Sequence, residues 1–215
     1  MSISTFTVAI ECLRYAWPGA GEVLAVDSLT LGAGERLFIK GASGSGKSTL
    51  LSLVVGILQA DSGSVSVLGQ NLAKMNGRDR DRFRADHMGV IFQQFNLLSY
   101  LSVVENVMLP CRFSHRRRAN AEGKGGMETE ARRLLEHLDI GPSLCRRPVS
   151  ELSVGQQQRV AAARALMGSP ELVIADEPTS ALDANRRNDF LRLLFQECGE
   201  GNASLLFVSH DHQAK

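Results

Sequence analysis

The chain has 215 residues, 44% of them hydrophobic, enough for one large domain or two small ones with a substantial core. Twenty-four basic residues against 23 acidic leave a formal charge of +1, which gives no electrostatic reason to expect a nucleic acid as partner. No uncharged run reaches the ~20 residues that span a bilayer, and the first residues lack the basic start and apolar core of a secretory leader. Cys12, Cys111, Cys145 and Cys198 are too scattered for a zinc site or a disulfide framework, so a cytoplasmic chain with reduced thiols is expected.

In chain order, Phe6, Val8, Ile10 and Cys12 alternate with the period of a half-buried strand. Tyr15-Ala16-Trp17-Pro18-Gly19 breaks it in a turn, and Val23 to Leu31 reads as a second β segment. An aromatic ring beside that turn offers a flat face to a purine base; Tyr15 is the better placed, with Trp17 the alternative.

The stretch Gly41 to Thr49, GASGSGKST, fits the phosphate-loop pattern, with Gly41, Gly46, Lys47 and Ser48 at the required offsets. Leu37-Phe38-Ile39 before it suits a buried parallel strand, and Leu50, Leu51, Leu53, Val54, Val55 and Ile57 after it suit a fully buried helix. Strand, glycine loop and helix form the arrangement that phosphate binding needs. Glycines such as Gly41, Gly44 and Gly46, interleaved with Ser43, Ser45 and Thr49, let backbone N–H groups turn onto one phosphate group. Lys47 then reaches the β- and γ-phosphates, and Ser48 can hold Mg²⁺.

Further on, residues 76 to 87 are densely charged and read as a solvated helical face. Met88 to Phe92 is a buried-strand run ending at Gln93, the position where open α/β sheets bind ligands and where an amide can meet a metal or a water. Between Phe95 and Gly141 the composition turns helical, with Ala131, Leu134, Leu135 and Leu138 on one face. Inside it, Ser114 to Met127 is almost without apolar residues and is expected to be a solvated, mobile loop, its Arg116, Arg117 and Arg118 available to lipid headgroups or an acidic partner. Ser153 with Gln156 is a capping-box pattern opening an alanine-rich helix that Gly168 and Pro170 close. Glu171 to Ala175 runs as a buried strand into Asp176-Glu177, whose successive side chains point oppositely, so that one can serve Mg²⁺ and the other orient a water. Asp183 has the character of an N-cap for a helix carrying Phe190, Leu191 and Leu194 and stopped by Gly199. Leu205 to Val208 forms a last apolar run before Ser209-His210, which places His210 at a strand end where it can hydrogen-bond a γ-phosphate oxygen.

Taken together these motifs resemble, in order and over nearly the whole chain, the ATP-binding subunit of an ABC (ATP-binding cassette) transporter. Gly41 to Thr49 resembles the Walker A loop, Gln93 the Q-loop glutamine, and Leu152 to Gln156 the signature with Ser153, Gly155 and Gln156. Leu172 to Glu177 resembles Walker B with Asp176 and the catalytic Glu177, Ser180 to Asp183 the D-loop, His210 the switch histidine and Tyr15 the A-loop aromatic. The stretch Ile91 to Pro110 is similar to the branch of lipoprotein-release, macrolide-export and cell-division ATPases. Two departures stand out: Val154 replaces a signature glycine, and the chain stops five residues past His210, short of a strand and helix the family normally adds, so a truncated or unusually short cassette is expected.

The resemblance implies a single α/β domain over 1–215. A phosphate-loop NTPase core with a mostly parallel sheet and an N-terminal antiparallel β subdomain would occupy 1–94 and 158–215, with a helical subdomain at 95–157. It implies ATP and Mg²⁺ as cofactors, the ion held by Ser48, Gln93 and Asp176, with Glu177, His210 and Gln93 acting in hydrolysis. It also implies head-to-tail pairing with a second ATP-binding subunit, a homodimer favoured over a heterodimer. Separate transmembrane permease subunits would anchor the chain peripherally at the cytoplasmic face of the membrane. The same residues fit an ATPase that regulates an envelope enzyme through a membrane partner without transport; an ATPase acting on DNA or ribosomes is disfavoured by the absence of basic excess.

Overall fold

Strands of two kinds build the protein, and their apolar patterns separate them. The structure, a computed structural model, describes residues 6–19, 21–179 and 184–209. The long strands β1 (Phe6–Ala16) and β2 (Glu22–Gly32) carry alternating apolar residues, bury one face and pair antiparallel. With β4 (Ser62–Val67) and β5 (Gln70–Asn71) they form a sheet in the order β2-β1-β4-β5. The short strands β3 (Arg36–Lys40), β6 (Met88–Ile91), β7 (Leu172–Asp176) and β8 (Ser204–Ser209) form a second, all-parallel sheet in the order β3-β8-β7-β6.

β7 and β8 are apolar at nearly every position because both faces of this sheet are covered. On one side Leu172, Ile174, Leu206 and Val208 join a core shared with the antiparallel sheet and α1 (Lys47–Val54). On the other side Val173, Ala175, Leu205 and Phe207 join a core built by the helical part of the chain. That part comprises α3 (Val103–Met108), α4 (Pro110–Phe113), α5 (His115–Glu122), α6 (Met127–His137) and α7 (Val154–Leu166), with α8 (Ala184–Glu200) packed on the same face; α2 (Gly77–His87) is the charged solvated helix and buries no side chain. α7 lies directly on β6 at Gly89, where a Cβ would stand 2.1 Å from the Ala165 carbonyl oxygen. Only glycine permits that approach.

Four local features differ from the sequence reading, each for a physical reason. β3 is parallel as expected but sits at the edge of the described sheet, so Leu37, Phe38 and Ile39 are half-covered rather than buried. In β1 the alternation changes phase: Val8 and Ile10 are buried, Cys12 is exposed with φ 48°, and from there Leu13 and Tyr15 face inward. A bulge at Cys12 inserts the extra residue that moves the following side chains to the opposite face. α8 continues past Gly199 to Glu200, and the chain reverses instead at Asn202, φ 51°.

The fourth difference is the largest. Ser114 to Met127 is not a mobile loop: most of it is α5, capped by Ser114, whose hydroxyl accepts from the Arg117 N–H. Arg117 is buried, and its guanidinium donates to the carbonyls of Met167 at 2.7 Å, Met88 at 3.2 Å and Ala165. It ties the C-terminus of α7 to the start of β6, where the helix dipole also favours a cation. Burial pushes this guanidinium down to about 10, still protonated at neutral pH. Arg116 pairs with Glu171, and Arg118 donates to the Cys111 carbonyl, so these three arginines are engaged within the chain. Low hydrophobicity misled because the segment is anchored by charged hydrogen bonds to backbone carbonyls instead of by apolar burial. Arg117→Met, which keeps much of the volume and leaves those carbonyls unpaired, is expected to cost about 3 kcal/mol in urea unfolding, while Arg118→Met changes stability far less.

Candidate functional site

The start of α1, like those of α4 and α6, has no side-chain cap. α2, α3, α5 and α7 each begin on an Asn or Ser whose side chain accepts from a first-turn N–H. α1 begins on Gly46 with no side-chain cap and no acid in its first turn. Gly46 has φ 85°, a conformation that costs an L-residue and leaves the N–H groups of the first turn directed outward. Above them lies a cleft of 330 Å³ lined by Trp17, Ser43, Lys47, Ser48, Gln93 and Glu177, with Val23, Gly44, Gly46 and Thr49 completing its wall. The Lys47 ammonium folds back onto its own loop, donating to the carbonyls of Gly41 at 2.8 Å and Ala42 at 2.7 Å. This is a concavity of N–H donors, one ammonium and one helix N-terminus, suited to a chain of phosphates.

The carboxylates come from the end of β7. Asp176 is its last residue, and its Oδ1 is buried without a hydrogen-bond partner. An orphaned carboxylate oxygen beside a phosphate loop fits a divalent cation, since hard oxygen ligands are what Mg²⁺ takes. Glu177 is not a continuation of the strand: it has φ 47°, and its N–H donates to the Val208 carbonyl at 3.0 Å. Its aim into the cleft is therefore set by a left-handed turn rather than by strand alternation, a strain of roughly 1–3 kcal/mol of the sort found at functional sites. Gln93 enters from the end of β6, so side chains from three separate segments face the same loop.

Of the two aromatics, Trp17 is the one that reaches the cleft. Tyr15 is 7% exposed, while Trp17 is 44% exposed and stands edge-on to it with ring centroids 5.3 Å apart. The phase change at Cys12 turns Tyr15 inward, and a sequence signal for it existed: apolar residues move from even to odd positions at Leu13. His210 and the segment Ser180 to Asp183 lie outside the described residues.

Ser153, Gly155 and Gln156 do not line this cleft. They sit at the start of α7, where the Ser153 N–H donates to Gln156 Oε1 at 2.9 Å and the Gln156 N–H donates to Ser153 Oγ at 3.3 Å. Val154 occupies the first helical position with ordinary backbone geometry and a side chain 53% exposed. A second concavity, larger than the phosphate cleft at 620 Å³, runs between α2, β6 and the helical part, lined by Met88, Phe92, Asn96, Phe113, Arg117 and Arg164 among others. Its wall mixes apolar side chains with four arginines, Arg82, Arg84, Arg117 and Arg164, and a single carboxylate, Asp81, so it carries no carboxylate pair for chemistry.

Residues 24–180 match the ABC transporter family profile. The chain belongs to the ABC transporter family. Its curated relatives include the uncharacterized ABC transporter ATP-binding protein YbbA of Escherichia coli strain K12, 41% identical over 199 residues covering 91% of this chain and 84% of that protein. The lipoprotein-releasing system ATP-binding protein LolD of Porphyromonas gingivalis is 37% identical over 195 residues, covering 91% of this chain and 86% of its own. Among solved structures, the dimeric post-hydrolysis state of the ATP-binding cassette MJ0796, bound to ADP and Pi, superposes with a TM-score of 0.83 at 31% identity over 95% of this chain and 88% of that one. The ABC ATPase architecture expected from the motifs is present: a parallel phosphate-loop core, an antiparallel β sheet and a helical part. As an ABC cassette the chain binds ATP and hydrolyses it. Its likeness to the lipoprotein-release branch is also met.

Within the cassette the capping box carries a stability consequence separable from catalysis. Ser153→Ala is expected to cost about 1 kcal/mol in chemical denaturation, whereas Val154→Gly, at an exposed position with ordinary backbone, stays within about 0.5 kcal/mol of the parent.

Proposed function

We propose that the chain works as one half of a head-to-tail pair, each ATP lying between the Gly41 to Thr49 loop of one copy and the Ser153 to Gln156 helix start of the other. The observation that supports this reading is the separation of the two anion-ready helix starts: the cleft collects Trp17, Lys47, Ser48, Gln93 and Glu177, while Ser153 and Gln156 stand apart from it. A single chain leaves the γ-phosphate side of the cleft open, and a second copy can close both sites at once. MJ0796 is described as a dimer, which supports the same arrangement. One chain carries both the phosphate loop and a signature that keeps Ser153, Gly155 and Gln156, which favours two identical copies.

In this reading the purine stacks on Trp17. Lys47 exchanges the Gly41 and Ala42 carbonyls for the β- and γ-phosphate oxygens, because an ammonium gains more from phosphate charge than from carbonyl dipoles. Gly41, Ser43, Gly44, Ser45, Gly46 and Thr49 cradle the phosphates through backbone N–H groups and hydroxyls. Ser48, Asp176 and Gln93 would hold Mg²⁺, which supplies charge neutralisation at the phosphate oxygens when bound. Glu177 accepts a proton from the water whose oxygen attacks the γ-phosphorus. The bond from γ-phosphorus to the bridging oxygen breaks, and ADP and inorganic phosphate leave. His210 would hydrogen-bond the γ-phosphate.

Closing and reopening of the pair would drive separate membrane-spanning subunits. Among the described residues no helix is long and apolar enough to cross a membrane; docking on a permease segment would hold the chain peripherally at the cytoplasmic face. The 620 Å³ groove beside Gln93, with Phe92 and Phe113 on its wall, is where that segment fits.

Glu177→Gln keeps the shape of the side chain and removes the base, so ATP binding persists and turnover falls by at least about 100-fold. Size-exclusion chromatography of that variant with ATP and Mg²⁺ is expected to show a dimer that disperses without nucleotide; a monomer under both conditions refutes the paired site. For the base, Trp17→Ala should weaken ATP by roughly 1–3 kcal/mol and leave inorganic triphosphate unaffected. Equal losses for both ligands, measured by calorimetry, would remove Trp17 from base recognition.

A further inference from the structure

The turn after Gln93 is strained and is held from one side only. Phe95 and Asn96 are consecutive non-glycine residues in the left-handed region, φ 59° and φ 50°. The Asn96 N–H reaches only its near neighbour Gln94, and the Phe95 N–H reaches Phe92. Two successive side-chain-bearing residues in that region do not hold themselves there.

Arg164, in the last turn of α7, supplies the restraint. One Nη donates to the Asn96 carbonyl at 2.6 Å and the other to the Phe95 carbonyl. The fork of a guanidinium matches two adjacent carbonyls as a single ammonium cannot. Among the described residues no carboxylate lies within ion-pair distance of Arg164, and burial pushes its guanidinium down from the ordinary value. A half-buried cation whose charge is met only by carbonyls is costly to keep and is explained by what it holds. The restraint continues on the helical side: the Phe95 ring packs against the helical core, and the buried Asn106 of α3 donates to the carbonyls of Leu98, Leu101 and Ser102. Gln93 faces the phosphate cleft on the core, while the turn that carries it is fastened to α7 and α3.

We infer that Arg164 is a positioning residue for ATP hydrolysis: by clamping the Phe95 and Asn96 carbonyls to α7, it makes the placement of Gln93 in the cleft follow the helix that begins at Ser153. This rests on the assignment of Gln93 to the nucleotide and its Mg²⁺. Arg164 also lines the docking groove, so an occupant of the groove, the α7 helix and Gln93 meet at one guanidinium. The role differs from that of Arg117, which donates to the carbonyls of α7 itself and of β6 and does not reach the turn.

The test compares Arg164→Ala, Arg164→Lys and Gln93→Ala in the full chain. Its readouts are kcat, KM for ATP, the Mg²⁺ concentration giving half-maximal turnover, and hydrogen exchange of the peptide covering residues 92–98. Loss of an outer-shell partner of a metal ligand typically costs about 10-fold or more in metal affinity or activity. Arg164→Ala is therefore expected to lower kcat and raise the half-saturating Mg²⁺ by about 10-fold, with KM for ATP nearly unchanged and faster exchange in the turn. Millimolar guanidinium should restore part of the loss in Arg164→Ala, and Arg164→Lys, with one donor head in place of a fork, should fall between the two. If Arg164→Ala fails to fold, Arg164→Lys carries the same readouts, with a smaller shift expected. Gln93→Ala impaired with Arg164 variants at parental Mg²⁺ dependence overturns the inference and leaves the Gln93 assignment standing. A loss of kcat without the Mg²⁺ shift or guanidinium rescue assigns Arg164 a structural role and overturns it too. A silent Gln93→Ala removes the Gln93 assignment and the inference with it.

Discussion

Parallel pairing of β3, β8, β7 and β6 is the constraint on which the site depends. Because all four strands run the same way, their carboxyl ends meet at one edge, and residues far apart in sequence are delivered to one place. Lys40 pairs with Ser209 and Asp176 with Val208, so the phosphate loop after β3, the carboxylates after β7 and the segment after β8 start at matched heights. A one-residue slip of β7 on β8 would exchange the residues on its two faces, putting Leu172 and Ile174 where Val173 and Ala175 now pack, and would move Asp176 away from the loop. Two cores of different composition, one on each face, hold that register.

Some of the strained backbone lies where the chain leaves those strands. Gly44 and Gly46 carry positive φ without a Cβ to resist it, which is the inexpensive solution. Glu177, Phe95 and Asn96 carry it with side chains, because at those positions the side chain or its carbonyl is needed. The surroundings restrain each in turn: the Glu177 N–H is held by the Val208 carbonyl, and the Phe95 and Asn96 carbonyls by Arg164.

Arginine joins helices to the sheet and to one another. Arg117 gathers carbonyls from α7 and β6, and Arg133 of α6 forks onto Glu197 of α8 at 3.1 Å while also meeting Glu130 at 2.8 Å. Such joints are directional and few, and they add fixed points to the apolar core that the helices share with the sheet. Movement of the helical part during an ATP cycle would act on these joints first.

Much of this protein was legible in its sequence because the decisive patterns are local. The glycine spacing of Gly41 to Lys47, the apolar runs of β6, β7 and β8, the Ser153 and Gln156 capping box and the acidic end of β7 each depend on neighbours a few residues away. They sufficed for the parallel sheet, the open helix start and the family. What the tertiary structure decided depends on partners distant in sequence or on a change of phase within a strand. The bulge at Cys12 turns Tyr15 inward and leaves Trp17 at the cleft. Arg117 lies in a stretch too polar to read as packed, yet carbonyls some 30 to 50 residues away in sequence hold it as a helix. Glu177 reaches the cleft through a backbone angle that side-chain alternation does not foresee, and Arg164 acquires its role only because α7 lies across Gly89 and beside the turn at Phe95. Hydrophobic period and turn chemistry are properties of a segment, whereas the carbonyls available to a buried guanidinium are a property of the assembled fold.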